Sequence, residues 1–141
     1  MASAAILPPR ARRTQSERRD ASEQRLLIAA AEIIEEQGFA AATFDAIGAR
    51  AGYSRGLASQ KFGSKDGLVT AVIAFLTARV AAHYQSRVAS IKSPLARILA
   101  YVEVLLAELE TDRLFRAYFV MMASAVANRG SMQDAFLAAH E

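Results

Sequence analysis

Between Thr43 and Leu68 the chain reads TFDAIGARAGYSRGLASQKFGSKDGL, a segment that narrows what the whole can fold into. It encodes two short amphipathic helices joined by a glycine turn. Thr43 can cap a first helix over 44–51, in which Ile47 and Ala51 sit four apart on one face. Gly52 supplies the turn. Ser54 can cap a second helix over 55–62, where Ala58 and Phe62 repeat the spacing and leave Arg55, Gly56, Ser59 and Gln60 facing outward. Such a pair is a helix-turn-helix, whose second helix reads the major groove of duplex DNA. The cations from Arg50 to Lys65 are Arg50, Arg55, Lys61 and Lys65, with no acid between them in the sequence. That run predicts a field suited to phosphate.

Length allows one compact domain, or a small head joined to a partial second layer: 141 residues, 53% of them hydrophobic. The formal charge of +3 is unevenly placed, with 10 basic and 7 acidic residues up to Lys65 and 7 of each after it. The basic excess therefore belongs to the half that carries the helix pair. Without cysteine, disulfides and thiolate chemistry are excluded. The opening MASAAILPPRARR has no basic region ahead of its apolar run, and Pro8-Pro9 would break a signal helix, which argues against secretion. The longest apolar stretches without a charge, 68–78 and 117–128, are shorter than the roughly 20 residues of a membrane helix. The expectation is a soluble, cytoplasmic protein with no membrane partner.

Residues 1–20 combine two prolines with Arg10, Arg12, Arg13, Arg18 and Arg19, the composition of a flexible basic arm. Such an arm could enter a minor groove or remain a solvated tail. Residues 21–66 form the expected DNA-binding head. Its first helix, about 22–37, shows an apolar stripe through Leu27, Ala30 and Ile34, flanked by Leu26 and Ile33, with Glu32, Glu35 and Glu36 opposite; Gly38 ends it as a left-handed cap. Residues 67–141 form an expected helical body for regulation and dimerisation. A long fourth helix runs from Lys65 to about Ser90, a fifth starts at Pro94, and a sixth covers about 113–127; after a loop over 128–131 a seventh begins at Met132 with no visible end. The fold class is all-α: a three-helix head with a helix-turn-helix, then a partial helical bundle.

The residues from about 24 to 70 resemble the TetR family of bacterial transcriptional regulators. The likeness rests on Gly38-Phe39, Thr43, Ile47, Ala51-Gly52, Ser54, Gly56, Phe62, Ser64-Lys65 with an acid after it, and Leu68. It implies a ligand-responsive repressor that acts as a homodimer on a partly palindromic operator in double-stranded DNA. Carried over by position, Thr43 would contact phosphate. Arg55, Gly56, Leu57, Ser59, Gln60 and Lys61 would lie on or beside the groove, and Lys65 would hold phosphate at the start of the fourth helix. Leu57 and Ser59 depart from the Thr and Tyr common in the family, and Gly48 stands where Ala is commoner. Gly48 costs its helix up to about 1 kcal/mol in propensity, unless it permits closer packing. The resemblance also implies two further long helices that make most of the dimer interface, so either the body is truncated or the chain dimerises by another surface, with faces of the fifth and sixth helices exposed.

An aromatic and thioether cluster could line a pocket for a small apolar effector through Tyr101, Phe115, Tyr118, Phe119, Met121 and Met122; core packing is the plainer reading of each. His83 is isolated, and His140 has no second histidine at zinc spacing, so neither predicts a metal site. No cofactor is implied. With no nucleophile triad, phosphate loop or paired-carboxylate site, the chain is not expected to be an enzyme. The rival to a repressor is a truncated interaction module that pairs with a longer regulator or binds DNA only weakly.

Overall fold

Thr14-x-x-Glu17 is a capping box, and it starts the first helix seven residues before the apolar stripe called for one. The Thr14 hydroxyl accepts from the Glu17 amide at 3.2 Å while Glu17 Oε2 accepts from the Thr14 amide at 2.7 Å. Helix α1 accordingly spans Gln15–Gln37, and residues 15–20 of the expected arm are helical. The computed structural model describes residues 14–127 and 130–140. Arg10, Arg12, Arg13 and the two prolines of the arm, with residues 128–129, lie outside the described residues.

Gly38 ends α1 at φ 82°, ψ 170°, donating its amide to the Ile34 carbonyl at 2.9 Å. The φ is positive as the sequence predicts, but the ψ is extended rather than left-handed helical, a combination almost confined to glycine. A short 3-10 turn over Phe39–Ala41 follows, which apolar periodicity does not signal. Helices α2 (Phe44–Ala51) and α3 (Arg55–Phe62) fall on the predicted spans. Helix α4 runs Lys65–Val88, α5 Pro94–Thr111, α6 Arg113–Ala127 and α7 Ser131–Ala138. Each of α2 to α5 opens on a Thr or Ser whose hydroxyl accepts an amide of the first turn.

Head and body share one core. Leu26, Ile34, Ile47, Ala58 and Phe62 of the head meet Leu68, Val72 and Leu76 of α4, and the same cluster continues through Ala117, Tyr118, Met121 and Phe136 of α6 and α7. Length and apolar composition would let α4 cross a bilayer, although its charge-free stretch is short. The fold instead packs it against α1, α3, α5, α6 and α7. Helix α5 is different. It buries Val104 and turns Leu95, Ile98, Leu99, Val102 and Leu106 outward.

Candidate nucleic-acid interface

The turn between α2 and α3 is fixed by backbone closure. The amide of Tyr53 reaches back to the Gly48 carbonyl at 2.8 Å and that of Gly52 to the Ala49 carbonyl, with Gly52 left-handed at φ 77°, ψ 30°. This six-to-one and five-to-two pairing is a Schellman closure. It also draws Tyr53 and Ser54 close to α2. A β-carbon at position 48 would meet the Ser54 carbonyl group and the Tyr53 oxygen at 3.0 Å. The propensity that Gly48 forfeits is thus set against a close backbone approach.

Thr43 is exposed and its hydroxyl caps α2 through the Ala46 amide at 3.2 Å. On α3, Ala58 and Phe62 are buried, and Arg55, Gly56 and Gln60 are exposed. Ser59 and Leu57 are half-buried, and Leu57 packs against the core. The outward surface of α3 is therefore built from Arg55, Gly56 and Gln60, edged by Ser59. Arg55 Nε lies 3.5 Å from Asp45 Oδ2, but both side chains are about 70% exposed. A surface pair of that kind is worth little and leaves the guanidinium free to swing.

The remaining cations of the segment are engaged elsewhere in the head. Lys61 Nζ contacts Glu23 Oε2 at 2.9 Å and the Arg19 carbonyl at 3.4 Å, with only 20% of its side chain exposed. Its place on the inner flank of α3 turns it toward α1. Lys65 Nζ donates to the Ala42 carbonyl at 2.6 Å and the Phe39 carbonyl at 3.3 Å, and sits 4.3 Å from the centre of the Phe39 ring. Burial lowers its pKa from the ordinary value. Arg50 NH2 pairs with Glu36 at 2.7 Å, and its NH1 approaches Glu32 at 3.9 Å. The acid-free run of the sequence is thus answered in space by acids and carbonyls from α1 and the 3-10 turn.

Residues 26–72 match the model of a family described as bacterial regulatory proteins, tetR family. Residues 26–72 thus carry the domain of the TetR family. A protein of Pseudomonas aeruginosa PAO1 assigned as a transcriptional regulator shares the fold at a TM-score of 0.66 and 23% identity, over 91% of this chain and 61% of that one. The multidrug binding protein EbrR, solved with imidazole, superposes at a TM-score of 0.60 and 22% identity, over 83% of this chain and 65% of its own. The chain covers less than two thirds of either. No curated protein sequence matches it significantly. Around the TetR-family head, both likenesses extend the shared fold through the helices of the body.

The aromatic cluster of the body divides. Tyr118 and Met122 line an open, mainly apolar cavity of about 270 Å³ between α6 and α7, with Ala125, Val126, Phe136 and His140. Phe115 is buried and Phe119 half-buried, the two rings 5.4 Å apart, and neither lines that cavity. Tyr101 lies on α5, edge-on to Tyr84 of α4 at 5.0 Å. Met121 is fully buried in the core. His140 Nδ1 lies 2.7 Å from the Phe136 carbonyl, so it donates there and Nε2, 3.1 Å from the Tyr118 hydroxyl, accepts. His83 approaches Glu108 at 2.8 Å, and no trio of potential metal ligands gathers among the described residues.

Proposed function

We propose that the protein is a sequence-specific, DNA-binding transcriptional regulator, and that it represses as a homodimer on a partly palindromic operator until a small apolar effector binds the body. The observation that carries this reading is the outer face of α3. A capped eight-residue helix presents Arg55, Gly56 and Gln60 outward from a TetR-family head. Arg55 and Gln60 have the donors and acceptors to read base edges in the major groove, and Thr43 stands at a helix start where free amides favour phosphate. Tyr118 and Met122 supply an apolar cavity of a size for a small effector. Selection of bound duplexes from a random pool, followed by solution mass of the complex, tests the proposal. A single enriched, partly palindromic site bound by two chains supports it, and an unenriched pool refutes it.

A second reading has its own support. Leu95, Ile98 and Leu106 of α5 are each more than 60% exposed along one face, with Leu99 and Val102 between them. Such a face suits an interaction module that pairs with a longer regulator. The same mass measurement separates the two, since a chain that is monomeric and unselective favours the module.

A further inference from the structure

Two adjacent carboxylates, Glu35 and Glu36, occupy the last turn of α1, where the helix dipole disfavours negative charge and no basic residue of α1 offsets it. Three arginines from other helices do so instead. Arg116 Nε bonds Glu35 Oε1 at 2.8 Å, and Arg113 reaches Glu35 Oε2 at 3.4 Å. Glu36 is shared: Oε1 accepts from Arg113 of α6, while Oε2 accepts from Arg50 of α2 at 2.7 Å. Arg50 lies two residues before Gly52, at the end of α2 from which the turn to α3 departs. The α6 side of this junction is itself anchored. Asp112 accepts the amides of Leu114 and Phe115, at 2.8 and 3.3 Å, and binds Arg79 of α4 at 2.5 Å.

We infer that Glu36 is a positioning residue through which the body sets the helix-turn-helix: one carboxylate, with a separate arginine on each oxygen, ties the start of α6 to the end of α2. Arg113 fixes the orientation of the carboxylate, so Arg50 meets an acceptor already in place. When α6 shifts, Glu36 is freed to rotate and its hold on Arg50 weakens without any movement of α2 being forced. The regulatory meaning of this link rests on the DNA-binding reading proposed above, but the link itself can be tested without DNA.

Hydrogen–deuterium exchange on the full chain provides the test, comparing wild type with Arg113→Gln, Glu36→Gln, the double variant and Arg116→Gln. In Arg113→Gln, amides of α2 are expected to exchange roughly 1.5- to fivefold faster, the scale of a partly exposed ion pair. Glu36→Gln should match it, and the double variant should add nothing. Arg116→Gln removes bonds to Glu35 and to the Leu109 and Glu110 carbonyls but none to Glu36, and should leave α2 protected as in wild type. Unchanged α2 exchange in Arg113→Gln overturns the inference, as does an equal response to Arg116→Gln. Should Arg113→Gln lose protection throughout the chain, Glu36→Gln, which removes the shared carboxylate and keeps Arg113, is read by the same criterion. A failure of selective DNA binding would leave every one of these exchange outcomes standing.

Discussion

Replacing Lys65 by alanine is expected to lower stability more than it weakens DNA binding. The ammonium satisfies two carbonyls, at Ala42 and Phe39, and stacks on the Phe39 ring. Bonds to a charged donor are worth about 1.5–3 kcal/mol each, and an exposed cation–π contact about 0.5–1 kcal/mol. Two costs reduce that sum. The lysine gives up part of its hydration, which lowers its pKa, and in the variant water can enter the space its side chain leaves beside the two carbonyls. A net loss of about 1–2 kcal/mol remains, or a fall in Tm of roughly 3–8 °C for a chain of this size. Circular dichroism melts give the stability, and duplex titrations at several salt concentrations give the phosphate count. A full phosphate contact would contribute about 0.9 to the slope of log affinity against log salt. A variant that melts within 1 °C of wild type, as a rough error, and loses that full increment would refute the assignment of Lys65 to the head's own framework.

Three further outcomes are expected. Gln60→Ala should leave the melt unchanged and relax preference at one base position by about 1–3 kcal/mol, read by titrating matched and mismatched duplexes. Ile47→Ala, at a side chain fully buried in the head core, should cost about 2–5 kcal/mol in denaturant unfolding and lose all binding in proportion to the unfolded fraction. Glu36, held by Arg50 and then Arg113, has its pKa lowered from 4.5 to about 2. Because the folded state favours the ionised form, this stabilisation is present above pH 4.5 and is lost as pH falls toward 2, so wild type should lose Tm over that window more steeply than Glu36→Gln. Glu35, lowered chiefly by Arg116, acts in the same direction and remains in the variant.

Helix spans were legible wherever an apolar stripe coincided with a capping residue. Thr43, Ser54, Ser64 and Ser93 each precede a helix whose inward face repeats at three or four residues, and these starts fall where the sequence puts them. The start of α1 was not placed, because Gln15 to Asp20 carries no apolar stripe and only the Thr14–Glu17 box marks it. The 3-10 turn at Phe39–Ala41 is too short to show a period. In the body, core packing, the plainer reading of the aromatic and thioether residues, holds for Phe115, Tyr118 and Met121 of α6, which are buried. Which aromatic lines a cavity depends on how α6 meets α7, and that angle is not written in either helix alone.

Charge was legible only along the chain, never across it. Periodicity set Glu32, Glu35 and Glu36 opposite the apolar stripe of α1, as a solvated face, yet their partners lie 14 to 81 residues away, on α2 and α6. The same reasoning counted four cations on the helix-turn-helix as available to phosphate. Arg50 is matched by Glu36, Lys61 by Glu23 and Lys65 by backbone carbonyls, which among the described residues leaves Arg55 with only the loose Asp45 contact. Long-range attraction from this segment is then weaker than its sequence suggests, since the Arg50–Glu36 and Lys61–Glu23 pairs are nearly neutral beyond the roughly 8–10 Å over which salt screens a charge, while Lys65, held by neutral carbonyls, keeps its own. Discrimination falls to the few exposed groups of α3, where one arginine and one glutamine must do by hydrogen-bond pattern what Lys61, paired with Glu23, does not do by charge.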